Sequence, residues 1–167
     1  VFMDFRDILN KFRAESFTEK DKGTKFERLI KWWFQSDPRY SDKLVEVWMW
    51  NEFPGRKDFG GKDIGIDLVA KTDVGDDGAL QCKCYADNAT IQKPAVDSFI
   101  ATASRTFVDE ETMQTAHFSN LIWVATTSHW GANAEETLKN QTIPFTRINQ
   151  YELEASPVDW ELLLKGN

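Results

Sequence analysis

Three polar side chains, Asp67, Gln81 and Lys83, stand on two strand-like segments that are otherwise largely apolar, GIDLVA and LQCKC. In a strand, successive side chains point to opposite faces, so Gln81 and Lys83 share one face of the second segment. The intervening GDDG is rich in turn formers and predicts an antiparallel hairpin, which can bring Asp67 close to the other two residues. A carboxylate, an amide oxygen and an ammonium around one point suit a hard divalent cation such as Mg²⁺, which prefers oxygen ligands.

The same three residues also fit a purely structural interpretation. Charged side chains commonly occupy the solvent-facing side of a half-exposed strand. An ion pair at such a surface contributes little stability. Alternation along the two segments therefore leaves both interpretations open.

The element expected to pack beside this hairpin is an amphipathic helix. It is predicted to begin at Thr24, because Thr24 and Glu27 have the spacing of a capping box, and to end before Pro38. Its apolar stripe, at helical spacing, consists of Phe26, Leu29, Ile30, Trp33 and Phe34.

Apolar runs and capping residues predict an alternation of strands and helices elsewhere in the chain. The predicted elements are a strand at 43–50, the hairpin, a helix from Lys93 to about Phe107, a strand at 120–127, a helix in GANAEETLKN, a strand in IPFTRI and a last helix with Ser156 as N-cap and Pro157 at its first position. This order predicts an α/β fold in which helices cover a mixed sheet.

The composition predicts one soluble globular domain. The 167 residues are 41% hydrophobic, enough for a filled core, and no run approaches the roughly 18 apolar residues of a membrane span.

Cys82 and Cys84, two positions apart on a strand, cannot pair easily, so we expect reduced thiols and a cytoplasmic location. The net charge of −7 is unfavourable for nucleic-acid binding, which depends on Lys and Arg.

GIDLVA followed by QCK resembles the Mrr-type branch of the PD-(D/E)XK nuclease superfamily, whose motif is an Asp on one strand and then Glu or Gln, any residue, and Lys on the next. The resemblance extends to KFERLI and to WVATTSHWGANAEE, and it covers most of residues 20–150. Within that superfamily the chain looks most like the N-terminal nuclease domain of Type ISP restriction-modification enzymes. The implied fold is restriction-endonuclease-like, a mixed central sheet flanked by helices.

The resemblance also implies roles for individual residues. Asp67 would bind Mg²⁺, with Mn²⁺ as a substitute, Gln81 would contribute its side-chain oxygen, and the Cys82 main-chain carbonyl would complete the ligation. Lys83 would assist the attacking water. Because Gln81 departs from the acidic version of the motif, Glu27 on the early helix is the expected second carboxylate, with helix capping as its alternative role.

The implied reaction is hydrolysis of phosphodiester bonds in double-stranded DNA. Because the chain is acidic, we expect the DNA to be presented by other parts of a larger enzyme, namely helicase-like domains that use ATP and a target-recognition domain. Residues 1–167 would then be a single nuclease domain from the N-terminus of a bacterial, cytoplasmic restriction-modification enzyme. Since one such site cuts one strand, a double-strand break needs a second copy or repeated nicking.

The remaining candidates are weaker. Arg56, Lys57 and Lys62 lie in the loop before the first motif strand and are candidates for DNA contact, with simple solvation as the alternative. His129 lacks a partner motif that would make it a general base.

A rival function is a nuclease fold kept as a docking or DNA-contacting module, which the neutral Gln81 favours. Action on RNA or modified DNA has no specific support, since nothing reads a 2′-hydroxyl or a methyl group.

Overall fold

The chain forms a six-stranded mixed sheet with helices on both faces, in a computed structural model that describes residues 3–16, 18–60, 65–86 and 88–165. The strands are β1 (Leu44–Met49), β2 (Leu68–Thr72), β3 (Asp77–Lys83), β4 (Thr106–Val108), β5 (Thr115–Ala125) and β6 (Phe145–Ile148). The helices are α1 (Phe5–Glu15), α2 (Glu19–Ser36), α3 (Lys93–Ala103), α4 (Ala132–Lys139), α5 (Gln150–Glu154) and α6 (Trp160–Leu164). The predicted fold class is confirmed.

The strand order β1-β2-β3-β5-β4, with β6 also paired to β5, follows from two kinds of connection. Strands β1, β2 and β3 are antiparallel neighbours, as a hairpin requires, and the predicted hairpin is confirmed. Strands β3 and β5 run parallel, because α3 carries the chain back along the sheet between them. This arrangement places the end of β3 in the middle of the sheet, beside the end of β5.

Each face of the sheet packs against its own core. On one face, Leu68 and Leu80 pack with the apolar stripes of α1 and α2, and on the other, Val69 and Ala79 pack with α3. Two short 3-10 helices, Trp50–Glu52 and Pro54–Phe59, close the second core. Because both faces of the sheet are buried, we expect polar side chains in β2 or β3 only where these strands extend beyond the two cores.

The prediction that the amphipathic helix begins at Thr24 was wrong. Helix α2 begins five residues earlier, and its N-cap is Thr18, whose side chain accepts a hydrogen bond from Asp21 N at 3.0 Å. Thr24 instead donates its hydroxyl to Lys20 O at 3.0 Å. The first turns of α2 extend beyond the core and carry no apolar residues, so hydrophobic periodicity does not reveal them.

Other boundaries also differ from those predicted. Helix α3 ends at Ala103, and Phe107 lies in β4, where it is buried by its neighbours on the sheet and not by helical packing. The last helix begins at Trp160 with Asp159 as its N-cap, so neither Ser156 nor Pro157 starts it. Strand β5 begins before position 120. Neither α1 nor α5 was predicted. Helix α5 has only five residues, but α1 has an apolar stripe at helical spacing, Phe5, Ile8, Leu9 and Phe12, which the sequence analysis missed.

Within the described residues, no helix is both long enough and apolar enough to cross a membrane. Cys82 is buried, Cys84 is half-buried, and both are free thiols. The expectation of two unpaired cysteines is confirmed.

Asp37 joins the end of α2 to the C-terminal segment. Its side chain is fully buried and accepts hydrogen bonds from Ser156 Oγ at 2.6 Å and from Arg39 N at 2.8 Å. Ser156 accepts a hydrogen bond from Trp33 Nε1 at 2.8 Å, so the serine serves this network and not a helix cap. Burial acts to raise the pKa of Asp37, but the hydrogen bonds from Arg39 and Ser156 outweigh it and leave the pKa lowered.

We expect Asp37→Asn to lower the free energy of unfolding at neutral pH by about 2 kcal/mol, because it removes charge-assisted hydrogen bonds. A lowered pKa in the folded state means that the carboxylate stabilises the fold above its unfolded-state pKa of about 3.9. That contribution is lost as the pH falls through the folded-state pKa. Urea denaturation should therefore show the difference between variant and unmodified chain shrinking below about pH 4. Asp42→Asn, at an exposed position, is the matched control, and an equal loss there would contradict this role for Asp37.

Candidate active site in a cleft beside the sheet

Strands β2 and β3 part at the point where the motif residues lie. Leu68 and Leu80 are the last paired residues on this side, and Asp67 N donates to Leu80 O at 2.8 Å. Gly65, two residues before Asp67, has a left-handed backbone conformation with φ of 89°. Strand β3 continues to Lys83 without β2 beside it, and a cleft opens at this fork.

The carboxylate of Asp67 takes the place of the missing strand partner. Its Oδ2 accepts a hydrogen bond from Cys82 N at 2.8 Å, a donor that a continued β2 would otherwise satisfy. The same oxygen accepts a second hydrogen bond from Gln81 Nε2 at 2.9 Å. Asp67 is also held through its main chain, because Trp50 N donates to Asp67 O at 2.9 Å. The structure thus brings Asp67 and Gln81 into direct contact at the fork.

Lys83 lies at the end of β3 and lines the same cleft. Its side chain is exposed, and within the described part of the chain it has no hydrogen-bond or ion-pair partner. Its main chain, by contrast, is fixed, because Thr126 N donates to Lys83 O at 3.2 Å. An anchored backbone with an unpaired ammonium leaves that charge available to a bound molecule.

Thr126 is a residue of this site that sequence reasoning missed. It is fully buried at the end of β5, and its hydroxyl both accepts from Tyr85 N at 2.7 Å and donates to Tyr85 O at 3.0 Å. These bonds fix the chain immediately after Lys83. The only sign of this role in the sequence is a threonine directly after a buried strand. That Thr126 meets Tyr85 follows from the parallel register of β3 and β5.

Helix α2 forms the opposite wall of the cleft, which has a volume of about 880 Å³. Glu27 lies on this wall, so the structure places it with Asp67, Gln81 and Lys83 around one space. Glu27 sits well inside α2 and not at its start, which rules out the alternative that it caps the helix. Burial raises the pKa of the Cys82 thiol well above its usual value, and the nearby charges of Asp67 and Glu27 raise it further.

The thiols of the cleft are not nucleophiles at neutral pH. Burial raises the pKa of Cys84 as it does that of Cys82, so both remain protonated. The chemistry that the site can perform therefore depends on its carboxylates, its amide, its ammonium and main-chain oxygens.

The donors in the cleft suit a hard divalent cation in their chemistry. Two carboxylates, the Gln81 amide oxygen and the Cys82 carbonyl are all oxygen ligands, and Mg²⁺ is commonly held by one or two carboxylates plus waters and substrate phosphates. Among the described residues there is no group of three or more His, Cys, Asp and Glu side chains that could hold a metal ion. The fit therefore depends on donors beyond the carboxylates. With Gln81 Nε2 directed at Asp67, the amide must turn over to offer its oxygen instead.

Six basic and four acidic side chains line the cleft, although the chain as a whole has a net charge of −7. The basic residues are Lys20, Lys22, Arg28, Lys31, Arg56 and Lys83. The net charge alone suggested little means of attracting phosphates, but the structure concentrates the acidic residues elsewhere. Four of the six cations lie on α2 and were not identified from the sequence. Two of them, Lys20 and Lys22, precede the predicted start of the helix at Thr24.

The other predicted DNA-contacting residues lie in different places. Arg56 lines the cleft. Lys57 does not, and it forms an ion pair with Glu110 at 2.7 Å on the exposed surface. Lys62 lies outside the described residues. His129 is exposed and is not part of the cleft wall.

Comparisons with known proteins identify the fold. A restriction endonuclease family matches residues 35–167, which is most of the chain and includes Asp67, Gln81 and Lys83 but not Glu27. No curated protein matches. Among solved structures the chain is similar to the ATP-dependent Type ISP restriction-modification enzyme LlaBIII bound to DNA, at 24% identity and a TM-score of 0.71, covering 95% of this chain and 9% of that one.

Two further restriction enzymes share the fold at lower similarity. The DNA modification-dependent restriction endonuclease AspBHI matches at 15% identity and a TM-score of 0.54, over 96% of this chain and 38% of that one. MspJI restriction endonuclease in complex with a 27-mer oligonucleotide matches at 16% identity and a TM-score of 0.54, over 90% of this chain and 29% of that one. The chain thus spans well under half the length of each of these proteins.

Proposed function

This chain belongs to the restriction endonuclease family, and from that premise we propose that it is a Mg²⁺-dependent endonuclease domain that hydrolyses phosphodiester bonds of double-stranded DNA. The observation that carries the proposal is the fork of β2 and β3, where Asp67, Gln81 and Lys83 face Glu27 across one cleft. The surplus of basic side chains in that cleft supports a phosphate-bearing substrate.

In the proposed site, Asp67 and Glu27 would hold the cation from opposite walls of the cleft. Gln81 would contribute its amide oxygen after the amide turns over, and the Cys82 main-chain carbonyl would complete the protein ligands. A divalent cation in such a site lowers the pKa of a water molecule and neutralises charge on the reacting phosphate. Asp67 is well suited to this role because hydrogen bonds from Cys82 N and Gln81 Nε2 fix its orientation in the cleft.

Lys83 is proposed to assist the attacking water and to stabilise the charge that develops on the phosphate. Its main chain is held by Thr126, so its ammonium is presented from a fixed point. The ammonium of lysine is a compact positive charge, and the residues around it determine where it lies.

We propose that the DNA is presented by other domains of a larger restriction-modification polypeptide, in which residues 1–167 form a single nuclease domain. Helicase-like domains would use ATP, a target-recognition domain would provide sequence specificity, and a second nuclease copy would cut the other strand. The support is the likeness to a Type ISP enzyme of which this chain spans only 9%. The setting we propose is the bacterial cytoplasm, where free thiols such as Cys82 and Cys84 are typical.

Metal removal tests the proposal directly. Supercoiled plasmid incubated with the chain and Mg²⁺, alone and within its parent polypeptide, should be converted to nicked or linear DNA. EDTA should abolish this conversion, and Mg²⁺ or Mn²⁺ added in excess should restore it, because the site's two carboxylates cannot activate water without a cation. Cutting that continues at the same rate in EDTA, or no cutting in either context, would contradict the proposal.

A second candidate function is a docking or DNA-contacting module that has kept the fold without the chemistry. The neutral Gln81, hydrogen-bonded through its nitrogen to Asp67, favours it. Isothermal titration calorimetry separates the two. A nuclease should bind Mg²⁺ or Mn²⁺ and lose that binding in Asp67→Asn, whereas a scaffold should bind neither ion at this site.

A further inference from the structure

Trp32, on α2, differs from the other six tryptophans of the chain. Each of those six packs its ring against another aromatic ring, with the nearest centroids 4.9 to 5.7 Å apart. Within the described residues, the ring of Trp32 contacts no other ring and its indole nitrogen donates no hydrogen bond. Its side chain is half-buried, because one part packs against the core beneath α1 and α2 while the rest lines the cleft. A large aromatic surface is therefore open in the cleft without a partner.

The end of β1 relates Trp32 to the fork. Helix α2 packs against β1, and Trp32 and Met49 both pack against the same core and line the same cleft. The two elements are tied together by Glu52, whose Oε1 accepts from Lys31 Nζ at 3.0 Å and from Met49 N at 2.8 Å. Met49 is paired with the residue after Asp67, and neighbouring strands lie about 4.8 Å apart. Trp32 therefore belongs to a part of the wall that begins one strand away from Asp67.

The charges beside this ring are mostly positive. Arg28 lies one helical turn before Trp32 on the same side of α2, and Lys31 precedes Trp32 in the chain. Both cations interact with Glu52, so the three charges leave a surplus of one positive charge here. Cations attract the phosphates of a nucleic acid, and an open aromatic ring stacks on its bases, a combination typical of proteins that bind a single strand. The chemistry of this wall therefore fits a nucleotide with an accessible base.

We propose that Trp32 is the platform on which one base of the cut DNA strand stacks, next to the phosphate held at Asp67. Inside a duplex each base is already stacked on its neighbours, so a base reaches the indole only after it leaves the helical stack. The cleft therefore takes a strand that is unpaired beside the point of cleavage. This proposal rests on the nuclease function proposed above and adds the form of its substrate.

The test compares two fluorescent oligonucleotides of equal length, oligothymidylate and an abasic strand that keeps the phosphates but has no bases. Binding to the chain is measured by anisotropy in EDTA at low salt. The unmodified chain should bind oligothymidylate about 5- to 150-fold more tightly than the abasic strand, the effect of one base stacked on an aromatic ring. Trp32→Leu should remove this preference. Trp32→Tyr should retain most of it, because tyrosine keeps an aromatic ring.

Trp48→Leu is the matched control for this loss of a tryptophan. Trp48 is also half-buried, but it packs against Phe53 and does not line the cleft, so its replacement should leave the preference for oligothymidylate unchanged. Trp32→Leu should not alter the salt dependence of binding, because no charge is removed. Its affinity for a fully paired duplex should stay within about twofold of that of the unmodified chain, since paired bases remain in their own stack.

The outcomes separate this proposal from the nuclease function. An unmodified chain that binds both strands equally or binds neither, or a Trp32→Leu variant that keeps the preference, would overturn the platform. These measurements need neither metal nor cleavage, and Asp67→Asn should keep the preference for oligothymidylate while it loses nicking. If Asp67→Asn nicks plasmid normally, the proposed nuclease site is wrong, whereas the comparison of the two strands still decides whether Trp32 stacks on a base.

Discussion

The substitution Asp67→Asn should slow plasmid nicking by about a thousandfold or more while leaving the fold intact. Among the described residues of β2, β3 and the segment leading into β2, Asp67 provides the only carboxylate that lines the cleft. Charge stabilisation by a bound cation amounts to several kcal/mol, and each 1.4 kcal/mol is a factor of ten in rate. Asparagine keeps the side-chain size, and its oxygen can still accept the hydrogen bond that Cys82 N makes at 2.8 Å.

Asp73→Asn is the matched control for this substitution. Asp73 is an exposed residue of the turn at the other end of the same hairpin, so the change in charge is identical but remote from the fork. Nicking, Mg²⁺ binding by calorimetry and the melting temperature should all be unaffected. For Asp67→Asn, nicking and Mg²⁺ binding should be lost together. A rate within about tenfold of the unmodified chain would remove Asp67 from the proposed chemistry.

The second large effect is expected for Lys83→Met, which should lower kcat by about a hundredfold. Loss of one group that stabilises developing charge commonly has this size. The free energy of unfolding should change by less than about 0.5 kcal/mol, because the Lys83 side chain is exposed and has no partner among the described residues. A large kinetic effect without a stability effect is the signature of a residue that acts on the substrate and not on the fold.

Two further variants make the Lys83 result interpretable. Lys11→Met, at an exposed position of α1, controls for the loss of a surface charge and should leave kcat unchanged. Lys83→Arg keeps the charge but cannot release a proton near neutral pH, so it should restore activity only if Lys83 acts through its charge alone. Undiminished nicking by Lys83→Met would exclude Lys83 from the reaction.

The contact between Asp67 and Gln81 was accessible from the sequence, because it depends on local rules. Alternation with a period of two assigns each side chain to a face, and a short turn determines which residues of the two strands meet. The same alternation correctly assigns Leu68 and Leu80 to a buried face. Alternation does not reveal the fork itself, that is, that pairing ends at Leu68 and Leu80 while β3 continues to Lys83.

The basic wall of the cleft was not accessible in this way. Lys20 and Gly23 precede the apolar stripe of α2, and a polar segment that contains glycine predicts a loop when it is judged by periodicity. The helix persists there because Thr18 caps it and because the buried residues further along already fix its axis. Tertiary packing thus extended a helix into a segment whose own propensity is weak.

By itself, the sequence determined the α/β class, the hairpin and the polar residues that it carries, because periodicities of two and 3.6 residues and turn chemistry act over short stretches of chain. Only the tertiary structure decided that Glu27 faces Asp67 across a cleft, that Thr126 fixes the chain beyond Lys83, and that an acidic protein has a basic cleft. The physical reason is that each of these features joins residues far apart in the chain. Their distances are set by how the helices pack on the sheet, which no local pattern encodes.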